Sequence, residues 1–161
     1  MSAAMVSHDE YLEVLDLLTR YALAIDHDRL EEWAQCFTET GHYKVITLEN
    51  VQQGLQAGML TCTGQAMLQD RVAYIRKAAV YNIHRDRHIL SHPLIRRTAQ
   101  DRYEVVTSFA LYQSEPDRDS RLFAVGYYED VIVREAAGLR FASRIAVLEN
   151  NSITPLLSAP V

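Results

Sequence analysis

Leu12, Leu15, Leu18, Ala22 and Ile25, flanked by Tyr11, Val14 and Tyr21, return every three or four residues. That spacing predicts an amphipathic helix from about Asp9 to Asp26. A shorter helical face follows in Leu30, Trp33, Ala34 and Phe37, with Asp28 at the N-cap position and Glu31 three residues on. "GHYKVITL" after Gly41 reads as a strand, and Glu49 to Gly64 as an irregular connection with room for a short strand. Met67, Leu68, Val72, Ile75 and Ala79 form the stripe of a third helix within "QAMLQDRVAYIRKAAVY".

After Asn82 the apolar period drops to two. Long alternating segments run from His88 to Thr98, Tyr103 to Ser114, Leu122 to Glu135 and Leu139 to Leu148, joined by the turn-rich "TAQDR", "SEPDRDS" and "AAG". Helices first and a meander of antiparallel strands afterwards give an α+β class, with the three helices covering the concave face of a curved sheet. No linker interrupts the pattern, so residues 1–161 read as one domain. The apolar, proline-bearing "NNSITPLLSAP" is expected to pack along the surface or on a neighbour.

Composition narrows the function classes. Net charge is −5 and basic residues are scattered, which gives no electrostatic reason to expect nucleic acid or an anionic membrane as partner. No apolar run approaches the roughly 18–20 residues of a bilayer span. "MSAAMVSHDEYLEVLDLL" lacks the basic region of a signal peptide. Cys36 and Cys62 stand far apart, outside any C-x-x-C spacing, as expected for two reduced, buried thiols in a cytoplasmic protein.

Two constellations carry candidate chemistry. "HRDRHILSH" sets His84, His88 and His92 four residues apart among Arg85 and Arg87. In a strand each such step spans about 13 Å, whereas ligands of one metal ion lie within about 3–4 Å of each other. Pro93 disfavours the helical alternative, so the stretch reads as a polar strand face turned to solvent or to another chain. The second constellation is "YALAIDHD" with "GHYKV": Tyr21, Asp26, His27, His42 and Tyr43 in a position to converge. Asp26 with His42 or His88, and Tyr43 nearby, would make a general base with an orienting carboxylate; helix capping explains Asp26 and Asp28 equally well. Nucleophile elbows, phosphate loops and the C-x-H pairs of a Rieske cluster are missing from the sequence.

The order of these pieces resembles a known family. "RYALAIDHDRLEEWAQCFTETGHYKV", "MLQDRVAYIRKAAVYNIHRDRHILSH" and "VTSFALYQSEPDRDSRLFAVGYYEDVIVREAAGLRFASRIAVLEN" are similar in kind and order to the small (beta) subunits of aromatic-ring-hydroxylating oxygenases. "GLQAGM", "MLQDR" and "HRDRHIL" look closest to members acting on carboxylated benzenes such as salicylate, anthranilate and terephthalate. The resemblance implies a cone-like fold shared with nuclear-transport-factor and ketosteroid-isomerase-like proteins. It also implies a non-catalytic structural role with no cofactor in this chain, the Rieske 2Fe–2S cluster and mononuclear iron lying in a large (alpha) subunit. The implied assembly is a trimer of this chain within a three-plus-three hexamer, with ferredoxin and reductase as indirect partners. His84, Arg85, Arg87, His88 and His92 are then expected at subunit surfaces. The competing readings are a stand-alone cone-fold dehydratase or isomerase using Asp26 with His42 or His88, and a module whose cavity holds a small apolar molecule.

Overall fold

The structure, a computed structural model, describes residues 6–78, 83–150 and 159–161. Helix α1 (His8–Asp26) starts one residue before the predicted boundary because Ser7 and Glu10 form a capping box. Ser7 Oγ accepts the Glu10 N–H at 3.2 Å and Glu10 Oε2 accepts the Ser7 N–H at 2.8 Å. Each bond satisfies a backbone donor that the helix itself leaves without a partner.

The far end of α1 corrects the role expected of Asp28. Its φ is 56°, and the N–H groups of Asp28 and Arg29 donate to Ile25 O and Ala24 O at 3.0 and 2.7 Å. That pattern is a Schellman stop, with Asp28 in the left-handed position usually given to glycine. Asp28 therefore ends α1 and does not cap α2 (Leu30–Gln35), whose N-cap is Arg29 with no side-chain cap bond. Phe37, expected on the face of that second helix, instead opens strand β1 (Phe37–Thr47).

The connection after β1 holds a five-residue helix α3 (Leu48–Gln52) and the short strand β2 (Leu60–Thr63), then α4 (Gly64–Ala78). Ala79, placed on the α4 stripe by the pattern, lies outside the described residues. The predicted strand from His88 to Thr98 is two strands, β3 (Arg85–Leu90) and β4 (Leu94–Ala99), both laid along β5 (Arg102–Ser114). The break falls at Ser91–His92–Pro93, where proline cannot donate to the ladder. Ser91 holds the place, its N–H donating to Ser108 O at 2.9 Å and its hydroxyl accepting the Ser108 N–H at 3.0 Å.

Strands β6 (Arg121–Glu135) and β7 (Gly138–Leu148) complete an open curved sheet in the order β2-β1-β7-β6-β5-β3. All pairings are antiparallel except β1 with β7. Helices α1, α2 and α4 pack on the inner face. The core between them holds Leu17, Leu18, Tyr21, Trp33, Phe37 and Phe141 among others, the rings meeting mostly edge to face. Val161 belongs to this same core. Residues 151–158 of the tail lie outside the described residues, but Pro160 and Val161 are buried in the chain's own interior, not spread over its surface.

Candidate functional site

Two polar assemblies sit inside the sheet where apolar side chains would be expected. On β7 the alternation of Leu139 and Phe141 would turn Arg144 outward. A register shift opposite Val131 and Ile132 inserts one residue, so Arg144 turns inward beside Asp130. The two side chains, both fully buried, form a bidentate pair at 2.8 and 2.7 Å. The guanidinium also lies 4.0, 4.0 and 4.1 Å from the ring centroids of Tyr21, Tyr128 and Phe141. Burial pushes the Asp130 carboxyl up from its ordinary value, and the adjacent Arg144 charge opposes that push. Sequence reasoning missed this pair, because the bulge that creates it leaves no mark in the alternation.

The second assembly joins the C-terminal end of α1 to β3. His88 Nδ1 lies 2.6 Å from Asp26 Oδ1, and the His88 backbone N–H donates to the same carboxylate at 3.0 and 3.2 Å. The Arg87 guanidinium stands 3.8 Å from Asp26. The side chains of Asp26 and His88 are 1% and 0% exposed. Among the described residues His88 Nε2 has no hydrogen-bond partner. A cleft of about 610 Å³ lies at this end of the sheet, bounded by Asp26, His27, Arg76, His84, Asp86 and Ala159 among others. Arg76 bridges it from α4, bonding Asp28 at 2.7 Å and Glu31 at 2.9 and 3.1 Å.

Of the residues expected to converge, the fold unites Asp26 with His88 and, apart from them, Tyr21 with Tyr43, and carries His27 and His42 elsewhere. His42 is on β1 against Thr63 Oγ1 at 3.1 Å, with burial and then Lys44 holding its pKa below the ordinary value. Tyr43 and Tyr21 meet each other's partner, Val161, deep in the core. His27 is exposed at the α1 stop. The reading of "HRDRHILSH" as a face turned to solvent or another chain needs correction at its centre. His88 and Asp86 point inward while Ile89 is exposed. His84 Nε2 lies 3.5 Å from Asp86, and His92 Nδ1 meets the Tyr11 hydroxyl at 3.1 Å. Arg85 and Arg87 face outward.

Among the described residues no three His, Cys, Asp or Glu side chains are placed to hold a metal ion. Cys36 and Cys62 are buried free thiols, and burial pushes Cys36 up to about 11. Thiols so held are poor ligands, since metals bind the thiolate.

A SnoaL-like domain model matches residues 7–145. The small subunit of anthranilate 1,2-dioxygenase from Burkholderia cepacia is 32% identical over 151 residues, 94% of each chain. The chain belongs to this family of dioxygenase small subunits. A beta subunit of the terephthalate 1,2-dioxygenase terminal oxygenase from Comamonas is 33% identical over 88% of this chain and 92% of its own. Among solved structures, one from Novosphingobium aromaticivorans, described as the beta subunit of an aromatic-ring-hydroxylating dioxygenase, superposes with a TM-score of 0.88. It is 30% identical and covers 98% of this chain and 100% of its own. For a small subunit of this family the cone-shaped α+β architecture is the common frame, and the sealed Asp26–His88 pair is a feature built within it.

Proposed function

We propose that this chain is the non-catalytic small subunit of an aromatic-ring-hydroxylating oxygenase that acts on a carboxylated benzene. It braces a large subunit that carries the Rieske cluster and mononuclear iron. In this reading the chain forms a trimer within a three-plus-three hexamer in the cytoplasm, and ferredoxin and reductase pass electrons to the large subunit alone. The observation that carries the reading is the sealing of the Asp26–His88 pair, whose side chains are 1% and 0% exposed in a chain related along most of its length to dioxygenase small subunits.

The outer sheet face supports a bracing role. Ile89, Leu94, Val106, Tyr112 and Leu122 are exposed there, Leu94 at 74%, and cross-strand register sets Arg87 beside Tyr112 and Tyr112 beside Leu122. Exposed apolar side chains set beside charged ones suit a protein interface. His84, Arg85, Arg87 and His92 edge or neighbour this face, whereas the buried His88 supports it from behind. The test is purification of the chain alone and with a large subunit bearing Cys-x-His and Cys-x₂-His. Aromatic-dependent oxygen uptake is expected only from the pair. Uptake by the chain unaided would overturn the reading.

A second reading, a stand-alone dehydratase or isomerase, rests on the 2.6 Å Asp26–His88 contact and the bare His88 Nε2. It requires substrate to reach a ring that is sealed from solvent. Turnover by the isolated chain that disappears in Asp26→Asn would establish it.

A further inference from the structure

The interior of the cone contains a hydrogen-bonding site that the chain fills with its own backbone. The Tyr21 and Tyr43 hydroxyls both donate to the main-chain oxygen of Val161, at 2.6 and 3.1 Å. The Val161 N–H in turn donates to the Tyr43 hydroxyl at 2.9 Å. Val161 is 1% exposed. Burial holds both phenols above their ordinary pKa, so both remain donors at neutral pH.

The surroundings are aromatic and incompletely satisfied. Trp33 stands 5.4 Å from Tyr43 edge to face, and Tyr21 lies 5.6 Å from Phe141 and 6.0 Å from Tyr128. Among the described residues the Tyr128 hydroxyl and Arg144 Nη1 are buried without hydrogen-bond partners. A core that needed only filling would place phenylalanine and leucine here, since a buried polar group without a partner costs about 1–3 kcal/mol. Two phenol donors on one oxygen, ringed by aromatic walls, form a geometry that recognises an acceptor oxygen in a dry site. Ala159 lines the 610 Å³ cleft at the cone mouth. Two residues of chain span at most about 7 Å, so the Val161 main chain lies within that distance of Ala159 and the cleft it lines.

We propose that Tyr21 and Tyr43 form a binding site for a small aromatic carbonyl or carboxylate compound, in which the Val161 backbone is the displaceable resident occupant. The proposal concerns this chain by itself, and its failure would leave the small-subunit reading untouched. A ligand of this class places its oxygen between the two hydroxyls and its ring against Trp33 and Phe37. Its apparent affinity is lowered by the fraction of molecules in which Val161 is seated.

Trp33 is the single tryptophan of the chain and reports directly on this site. The experiment titrates the full-length chain and its Val161→Asp variant with benzoate, benzaldehyde and toluene, reading Trp33 emission and calorimetric heat. A buried aspartate disfavours the seated segment, so the variant is expected to bind benzoate or benzaldehyde on the order of tenfold more tightly than the wild type. Tyr43→Phe in the same background should reverse that gain, and toluene, lacking an oxygen, should bind weakly throughout. The two oxygenated probes separate carboxylate from neutral carbonyl recognition. A Val161→Asp chain with native circular dichroism and no saturable response to either would overturn the proposal, as would toluene binding equally well. If that variant does not fold, Val161→Gly takes its place. If both unfold, absence of any saturable wild-type response to either oxygenated probe overturns it.

Discussion

Arg144 shows how much depends on one side chain. Removing a partner from a buried ion pair leaves an uncompensated charge, which costs about 3–5 kcal/mol, whereas replacing both partners by apolar groups is often neutral. Arg144→Met is therefore expected to lower stability by about that amount in urea unfolding, and Asp130→Leu added to it should recover most of the loss. Cys36 and Cys62 give a second residue-scale outcome. Both thiols are buried, and burial raises both above the ordinary thiol value. Iodoacetamide at neutral pH should leave both unmodified in the native chain and label both after unfolding, as mass spectrometry would show. The burial of the cysteines was expected from the sequence, whereas the Arg144 contact with Asp130 was not, since it depends on the bulge between neighbouring strands β6 and β7.

At the level of elements, α1 was largely legible and its ends were not. Its stripe of Leu, Val and Tyr residues implies the helix, but only the Ser7–Glu10 box sets the start and only the left-handed Asp28 sets the stop. Ser7→Ala should cost about 1 kcal/mol, the ordinary value of a lost N-cap. The Ser7 N–H and then the Tyr103 hydroxyl hold Glu10 at about 2, below its ordinary 4.5. A depressed carboxylate stabilises the fold fully above its unfolded pKa and loses that contribution as protons bind the folded state. Stability should accordingly fall between about pH 4.5 and 2, and Glu10→Gln should flatten that part of the profile. In the sheet, a Cβ on Gly126 would sit 2.0 Å from Val147 O on the neighbouring strand. Gly126→Ala is expected to cost at least about 1–3 kcal/mol, the usual range for overpacking, in the same unfolding assay.

For the whole molecule, the outer sheet face is the surface that the small-subunit reading uses. Arg87 is 55% exposed there and reaches back to the buried Asp26 at 3.8 Å. Arg87→Glu sets a carboxylate near Asp26 and reverses the charge presented to a partner. In the purified oxygenase complex it should reduce the assembly mass seen by light scattering; a complex of unchanged mass would remove Arg87 from the interface. The acid/base reading was also partly legible at this scale. Asp26 and His88 were both candidates, but His42 and Tyr43, candidates on equal terms, were carried elsewhere by β1.

The sequence by itself determined the helical stripes, the period-two strands after Asn82, the α+β class and the family, because these are local periodicities or ordered strings of residues. Which face of a strand turns inward was decided only by tertiary structure. On β3 the polar Asp86 and His88 are buried and Ile89 exposed, because the Asp26 carboxylate at the end of α1 receives His88. On β7 a single inserted residue turns Arg144 into the core. Val161, more than a hundred residues from Tyr21 and Tyr43, reaches their hydroxyls only once the sheet has curved around it. Periodicity records the neighbours along a chain; it carries no information on which distant polar group will be waiting on the other side.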